Sequence, residues 1–200
     1  MNQSISEEEG IKTLNSMIEV IKKSEVIYHP SLFWEKLNKI NLQQLQTSGY
    51  QNFKRTVNQN YFNFLVTSPI NDQFISLFLK WLKNPKLGVF TSRFEGDKYL
   101  ECFEHKFKLN PIQQFFYKLF VSMLWEYTGT IDKENLLEKL EEPIEGNPLR
   151  ISYKGKLISQ DLCNSILEYY SIMNHVPSDE KENLTISELG GGMGGVHSCF

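Results

Sequence analysis

Residues 185–195 read TISELGGGMGG, the stretch of this chain best suited to chemistry. An apolar, strand-like run meets Glu188, then a loop of five glycines interrupted by Met193, and the pattern of a helix begins after it. Glycine lets a backbone turn this tightly and approach a ligand with no Cβ in the way. The N–H groups that end such a loop at a helix N-terminus favour a negatively charged or electron-rich group. The pattern therefore points to a nucleotide-like cofactor.

Two fingerprints overlap here. Gly190, Gly192 and Gly195 satisfy the G-x-G-x-x-G of dinucleotide-binding folds. Glu188, Gly190, Gly192 and Gly194 satisfy an acid-x-G-x-G-x-G pattern, with the acid two residues before the first glycine. A carboxylate at that point is a poor neighbour for a pyrophosphate of the same sign. It is a good one for the sulfonium and ammonium groups of S-adenosylmethionine. The electrostatics favour the second pattern. A nicotinamide-dependent oxidoreductase would need a further acid about 20 residues past the loop. A third reading is a Gly-rich segment that is simply mobile, against which stand the apolar run before it and Glu188.

The elements that must position this loop are mostly helices. Ser6 followed by Glu7, Glu8 and Glu9 predicts a capped helix start, and Ile11, Leu14, Ile18 and Ile21 recur on one face. Pro30 and Ser31 open a second helix with Leu32, Phe33, Leu37 and Ile40 as its apolar stripe. Residues 50–64 read as a helix or long turn. Asn71-Asp72 caps an apolar segment that ends at Asn84-Pro85. Asn110-Pro111 starts another, with Pro at the first helical position, where its missing N–H costs nothing. That helix stops near Gly129 and is apolar on most sides, which predicts a central place in the core. Residues 132–142 read as a short charged helix closed by Pro143.

The texture changes at Gly146-Asn147-Pro148. Residues 149–153 read as extended, turning at Lys154-Gly155-Lys156. Ser159 caps a helix through Leu162, Ile166, Tyr169 and Tyr170 to about Asn174. Residues 184–189 give the only convincing strand pattern. The division this predicts is a helical N-terminal region over 1–145 and a cofactor-type unit over 146–200.

Composition limits the function further. Two hundred residues suffice for a domain with a real core. A net charge of -3 argues against a nucleic-acid binder, which needs a basic face to neutralise phosphates. No apolar run approaches the roughly 18 residues that span a bilayer, so no membrane partner is expected. Three scattered cysteines, Cys102, Cys163 and Cys199, and the lack of a signal-peptide pattern predict a soluble cytoplasmic protein with reduced thiols. His29, His105, His175 and His197 show no metal-ligand spacing, so no metal is expected. Trp34, Trp81 and Trp125 lie in apolar helical stripes and are expected in the core. Lys80, Lys83 and Lys86, and the acids over 138–145, are expected on solvated faces.

The segment from Gly146-Asn147-Pro148 through Lys154-Gly155-Lys156-Leu157-Ile158-Ser159-Gln160-Asp161-Leu162-Cys163-Asn164-Ser165 to the Glu188 loop resembles a bacterial family of sugar O-methyltransferases. There, an I-S-Q-D-L-x-N-S helix start precedes the cofactor loop by about this spacing, after a Trp- and Phe-rich helical region. The resemblance covers residues 30–195 loosely and 146–195 well. It implies a mainly α protein whose helical region is followed by the first strand and glycine loop of a Rossmann-like methyltransferase domain. The cofactor it implies is S-adenosylmethionine, lined by Glu188, Gly190, Gly192 and Gly194, with Asp161, Asn164 and Ser165 on the helix across its mouth. The implied reaction moves a methyl group to a sugar hydroxyl that a base deprotonates. No residue here is identified as that base. The family's sheet has further strands, which carry a ribose-binding acid and the adenine loops, and the chain stops at Phe200. The expectation is a truncated enzyme, inactive alone and weak in cofactor binding. The alternative is a non-catalytic helical interaction or oligomerisation module derived from one.

Overall fold

Helix signals dominate the sequence and helices dominate the fold, with a small three-stranded antiparallel sheet and a separate hairpin. The computed structural model describes residues 7–55, 70–102, 105–141 and 144–177. Helix α1 (Glu7–Lys23) and helix α2 (Leu32–Ser48) flank a 3-10 turn, Val26–Tyr28. Gly49, at φ 75°, ends α2, and a second 3-10 segment follows at Tyr50–Arg55. The helix or turn expected over 50–64 is thus a 3-10 segment as far as it is described. The Ser6 cap lies outside the described residues.

The core grows around two helices whose ends the sequence marks well. Helix α3 (Asp72–Lys83) starts where the Asn71 side chain accepts the Phe74 N–H at 2.9 Å. Helix α4 (Pro111–Gly129) begins with a reciprocal cap, in which Asn110 accepts from Gln113 N and Gln113 accepts from Asn110 N. From Leu119 through Trp125 every side chain of α4 is buried, so this helix is central as expected. Phe74 of α3 meets Phe116 of α4 edge to face, with ring centres 5.5 Å apart.

Strand β1 (Arg93–Glu95) pairs with β4 (Arg150–Tyr153), and β4 with β5 (Lys156–Ile158), all antiparallel. The β4–β5 hairpin turns at Lys154 and Gly155, both at positive φ, as a two-residue hairpin turn requires. A separate hairpin joins β2 (Tyr99–Cys102) to β3 (His105–Lys108). Helix α5 (Leu136–Lys139) and helix α6 (Gln160–Met173) complete the described fold. Leu149, Ile151, Ile158 and Ile166 enter the same core as Phe74, Val121 and Leu136, so residues on both sides of position 145 share one core.

Several expectations change. The charged helix over 132–142 shrinks to one turn, because Asn135 adopts a left-handed conformation and Asp132 turns back to cap the turn instead of extending it. Its carboxylate accepts Leu136 N at 2.9 Å and Leu137 N at 2.8 Å. Strands β1, β2, β3 and β5 were not expected, and Lys156, read as part of a turn, opens β5; at three or four residues each they are too short to show an alternating pattern. The strand expected over 184–189 lies outside the described residues. Trp81 is half-buried and Trp125 buried, but Trp34 is exposed, and so are Leu32 and Phe33 beside it. Periodicity specified an apolar face there without specifying anything to cover it.

Candidate ligand site at the start of helix α6

Glu188, Gly190, Gly192 and Gly194 lie outside the described residues. Asp161, Asn164 and Ser165 lie in the first two turns of α6. Their i, i+3, i+4 spacing places them on one side of that helix. The helix starts where sequence predicts, with Ser159 Oγ accepting the Asp161 N–H at 3.0 Å. Asp161 and Asn164 are half-buried and Ser165 is buried.

Two features give this turn its chemistry. Burial pushes the Asp161 carboxyl above the usual carboxylate range, and the nearby Lys54 ammonium opposes that only in part. Gln160, next to it and itself buried, has a side-chain oxygen with no hydrogen-bond partner among the described residues. A carboxylate short of water is a strong acceptor for hydroxyl or ammonium donors. Lys54 and Arg55, both buried, were not singled out from sequence. Nothing local marks two cations on a 3-10 segment as interior.

Arg55 explains why Gly146-Asn147-Pro148 sits where it does. Its guanidinium donates to the main-chain oxygens of Asn147 and Asp97, to Asn147 Oδ1 at 2.9 Å and to Pro148 O at 3.3 Å. Burial lowers its pKa, opposed by Asp97. Lys54 N donates to Gly146 O at 2.9 Å, and Asn147 Nδ2 to Asn52 Oδ1 at 2.9 Å. The 3-10 segment is therefore strapped to the loop that feeds β4. Tyr117 of α4 holds the same loop from the other side, donating to Leu149 O at 2.7 Å.

The far end of α6 carries a different cluster. Tyr170 donates to Asp132 at 2.8 Å and accepts Glu134 N at 2.8 Å, while Tyr169 donates to Glu134 at 3.1 Å. Burial and the Asp132 carboxylate push the Tyr170 phenol up to about 12. On β4, Tyr153 donates to Glu126 at 2.6 Å, and Lys154 pairs with the same carboxylate at 2.5 Å. Burial would raise the Glu126 pKa, but the bonds from Lys154 and Tyr153 outweigh it and hold the carboxyl below its usual range. Lys156 covers the carbonyls that end α5, donating to Leu137 O at 2.9 Å and Glu138 O at 2.7 Å. These groups satisfy one another and serve as struts. Among the described residues no three His, Cys, Asp or Glu side chains converge as a metal site requires. None of the described helices is long and apolar enough to cross a membrane.

Asp161 supplies a prediction with a definite sign. Its carboxyl titrates higher in the folded chain than in the unfolded one. Its contribution is therefore fully present below that unfolded value and is lost as pH rises through the folded one. Asp161→Asn should raise the urea midpoint relative to wild type at pH 7, and the gap should close by pH 3. Urea titrations at the two pH values check this; a variant less stable at pH 7 would contradict it.

Comparison of the chain with protein-family models, with curated proteins and with solved structures returns no match. What the described residues define is a mainly α protein with a small antiparallel sheet.

Proposed function

We propose that this chain carries the entry part of an S-adenosylmethionine-dependent sugar O-methyltransferase. The observation that carries the reading is the pairing of Glu188 with Gly190, Gly192 and Gly194 at the end of an apolar run. A carboxylate two residues before the first glycine would welcome a cationic sulfonium cofactor and repel a pyrophosphate. Helix α6 adds support, because its cap and its Asp161, Asn164, Ser165 face fall at the spacing from the loop that the family resemblance implies. In this reading Glu188 and the three glycines bind the cofactor, which supplies the methyl group, and Asp161 offers a desolvated acceptor at the mouth of the site. The Rossmann-like domain and the sugar acceptor belong to the same proposal.

The test is an amide-resonance titration of the full chain with S-adenosylhomocysteine at millimolar concentration, which detects weak binding. Shifts at Gly190, Gly192, Gly194 and Asp161, lost in Glu188→Ala, are the expected result. No shifts, or equal shifts with a nicotinamide dinucleotide that survive Glu188→Ala, would overturn it.

A further inference from the structure

The turn between α1 and α2 gathers apolar side chains that the fold leaves in solvent. Val26, Ile27 and Tyr28 lie on one 3-10 turn, and Leu32, Phe33 and Trp34 open α2. Their exposures run from 55% at Trp34 to 85% at Leu32. The turn is not slack. Ser24 Oγ donates to Ile21 O at 2.6 Å, Tyr28 N donates to Glu25 O at 2.9 Å, and His29 Nε2 sits 3.1 Å from Ser24 O. The rings of Phe33 and Trp34 meet edge to face at 5.4 Å. An apolar tip that is already ordered loses little freedom on binding.

We infer that a second copy of this chain covers the tip, the two tips packing across a twofold axis. Area is the first argument. The six residues expose on the order of 800 Å² in all; a contact that covers about half of it together with part of the charged rim reaches the size of a weak dimer interface. Charge is the second. The exposed rim carries Lys23, Lys36 and Lys39 together with Glu25 and Glu35, beside the Lys22–Glu19 pair at 2.9 Å. A rim of both signs complements itself when the same patch is used twice, as an isologous contact requires. An anionic bilayer would be matched by a purely basic rim. Glu25, directly before Val26, and Glu35, directly after Trp34, oppose that alternative.

The contact holds or fails independently of the methyltransferase reading, whose test is a cofactor titration. Sedimentation of the full chain between about 1 and 100 µM, the range for an interface of this size, should show twice the chain's mass. Leu32→Glu and Phe33→Glu change exposed side chains, so their helical circular dichroism should match wild type. Each should raise the dissociation constant about 100-fold or more. A wild-type chain that stays monomeric across this range would overturn the inference. So would a dimer that both variants leave intact. Association with vesicles of phosphatidylcholine and phosphatidylglycerol, lost in both variants while the protein sediments as a monomer, would overturn it in favour of a lipid surface.

Discussion

Gly146→Ala is expected to lower stability by about 3 kcal/mol, the combined cost of a left-handed backbone at a Cβ-bearing residue and of overpacking. On a chain of this length that is a fall in melting temperature of about 6–12 °C. Gly146 has φ 74°, and a Cβ placed there would lie 2.5 Å from a ring carbon of Phe53 and 2.8 Å from Lys54 Cγ. Both neighbours are side chains of the strapped 3-10 segment, and each must turn aside to make room. Gly155 is the control. It has φ 80° with nothing within 4 Å of the same position, so Gly155→Ala should cost only the backbone part, about 1 kcal/mol. Thermal melts of the two variants separate crowding from conformation; equal losses would show that the Phe53 contact does not matter.

Arg55→Met should be as damaging, at about 3 kcal/mol or more, because it leaves several acceptors without donors at about 1–3 kcal/mol for each that is buried. The acceptors concerned are the main-chain oxygens of Asn147, Asp97 and Pro148 and the Asn147 side chain. Arg55→Lys keeps the charge but not the planar fork that reaches several carbonyls at once, so it should recover little of the loss. Because Arg55 and Gly146 hold the same junction, the double variant should lose clearly less than the sum of the singles. Urea denaturation of the set checks both statements, and strict additivity would refute the shared junction.

What could be read from sequence follows the strength of local signals. The Asn71 and Asn110 caps, Pro111 and the apolar run behind it placed α3 and α4 nearly to the residue. Ser159 did the same for α6, and Lys154-Gly155 marked the β4–β5 turn. Signals that depend on distant partners were not legible. Strands of three or four residues are specified by what they pair with, and β1 meets β4 more than fifty positions away. Asp132 looked like a helical residue because its side-chain role depends on the left-handed Asn135. Lys54 and Arg55 are interior only because the loop at 146–148 supplies acceptors for them. At the candidate site, Asp161, Asn164 and Ser165 came from the family resemblance, and the Ser159 cap is what placed them in the first two turns of α6. The desolvation of Asp161, which gives it chemical interest, comes from tertiary packing.

The Arg55 strap also sets the order in which this molecule can assemble. Closing a loop of some ninety residues brings two chain segments together late, after local helices have formed, and its entropy cost falls on the folding rate. Helix α6 can form early, but the polypeptide leading to it is aligned when Arg55, Tyr117 and the β1–β4 pairing engage it. A ribosome-bound chain that has emerged as far as position 146 therefore holds Arg55 without its Asn147 and Pro148 acceptors, and an interior that still lacks the side chains of β4, β5 and α6.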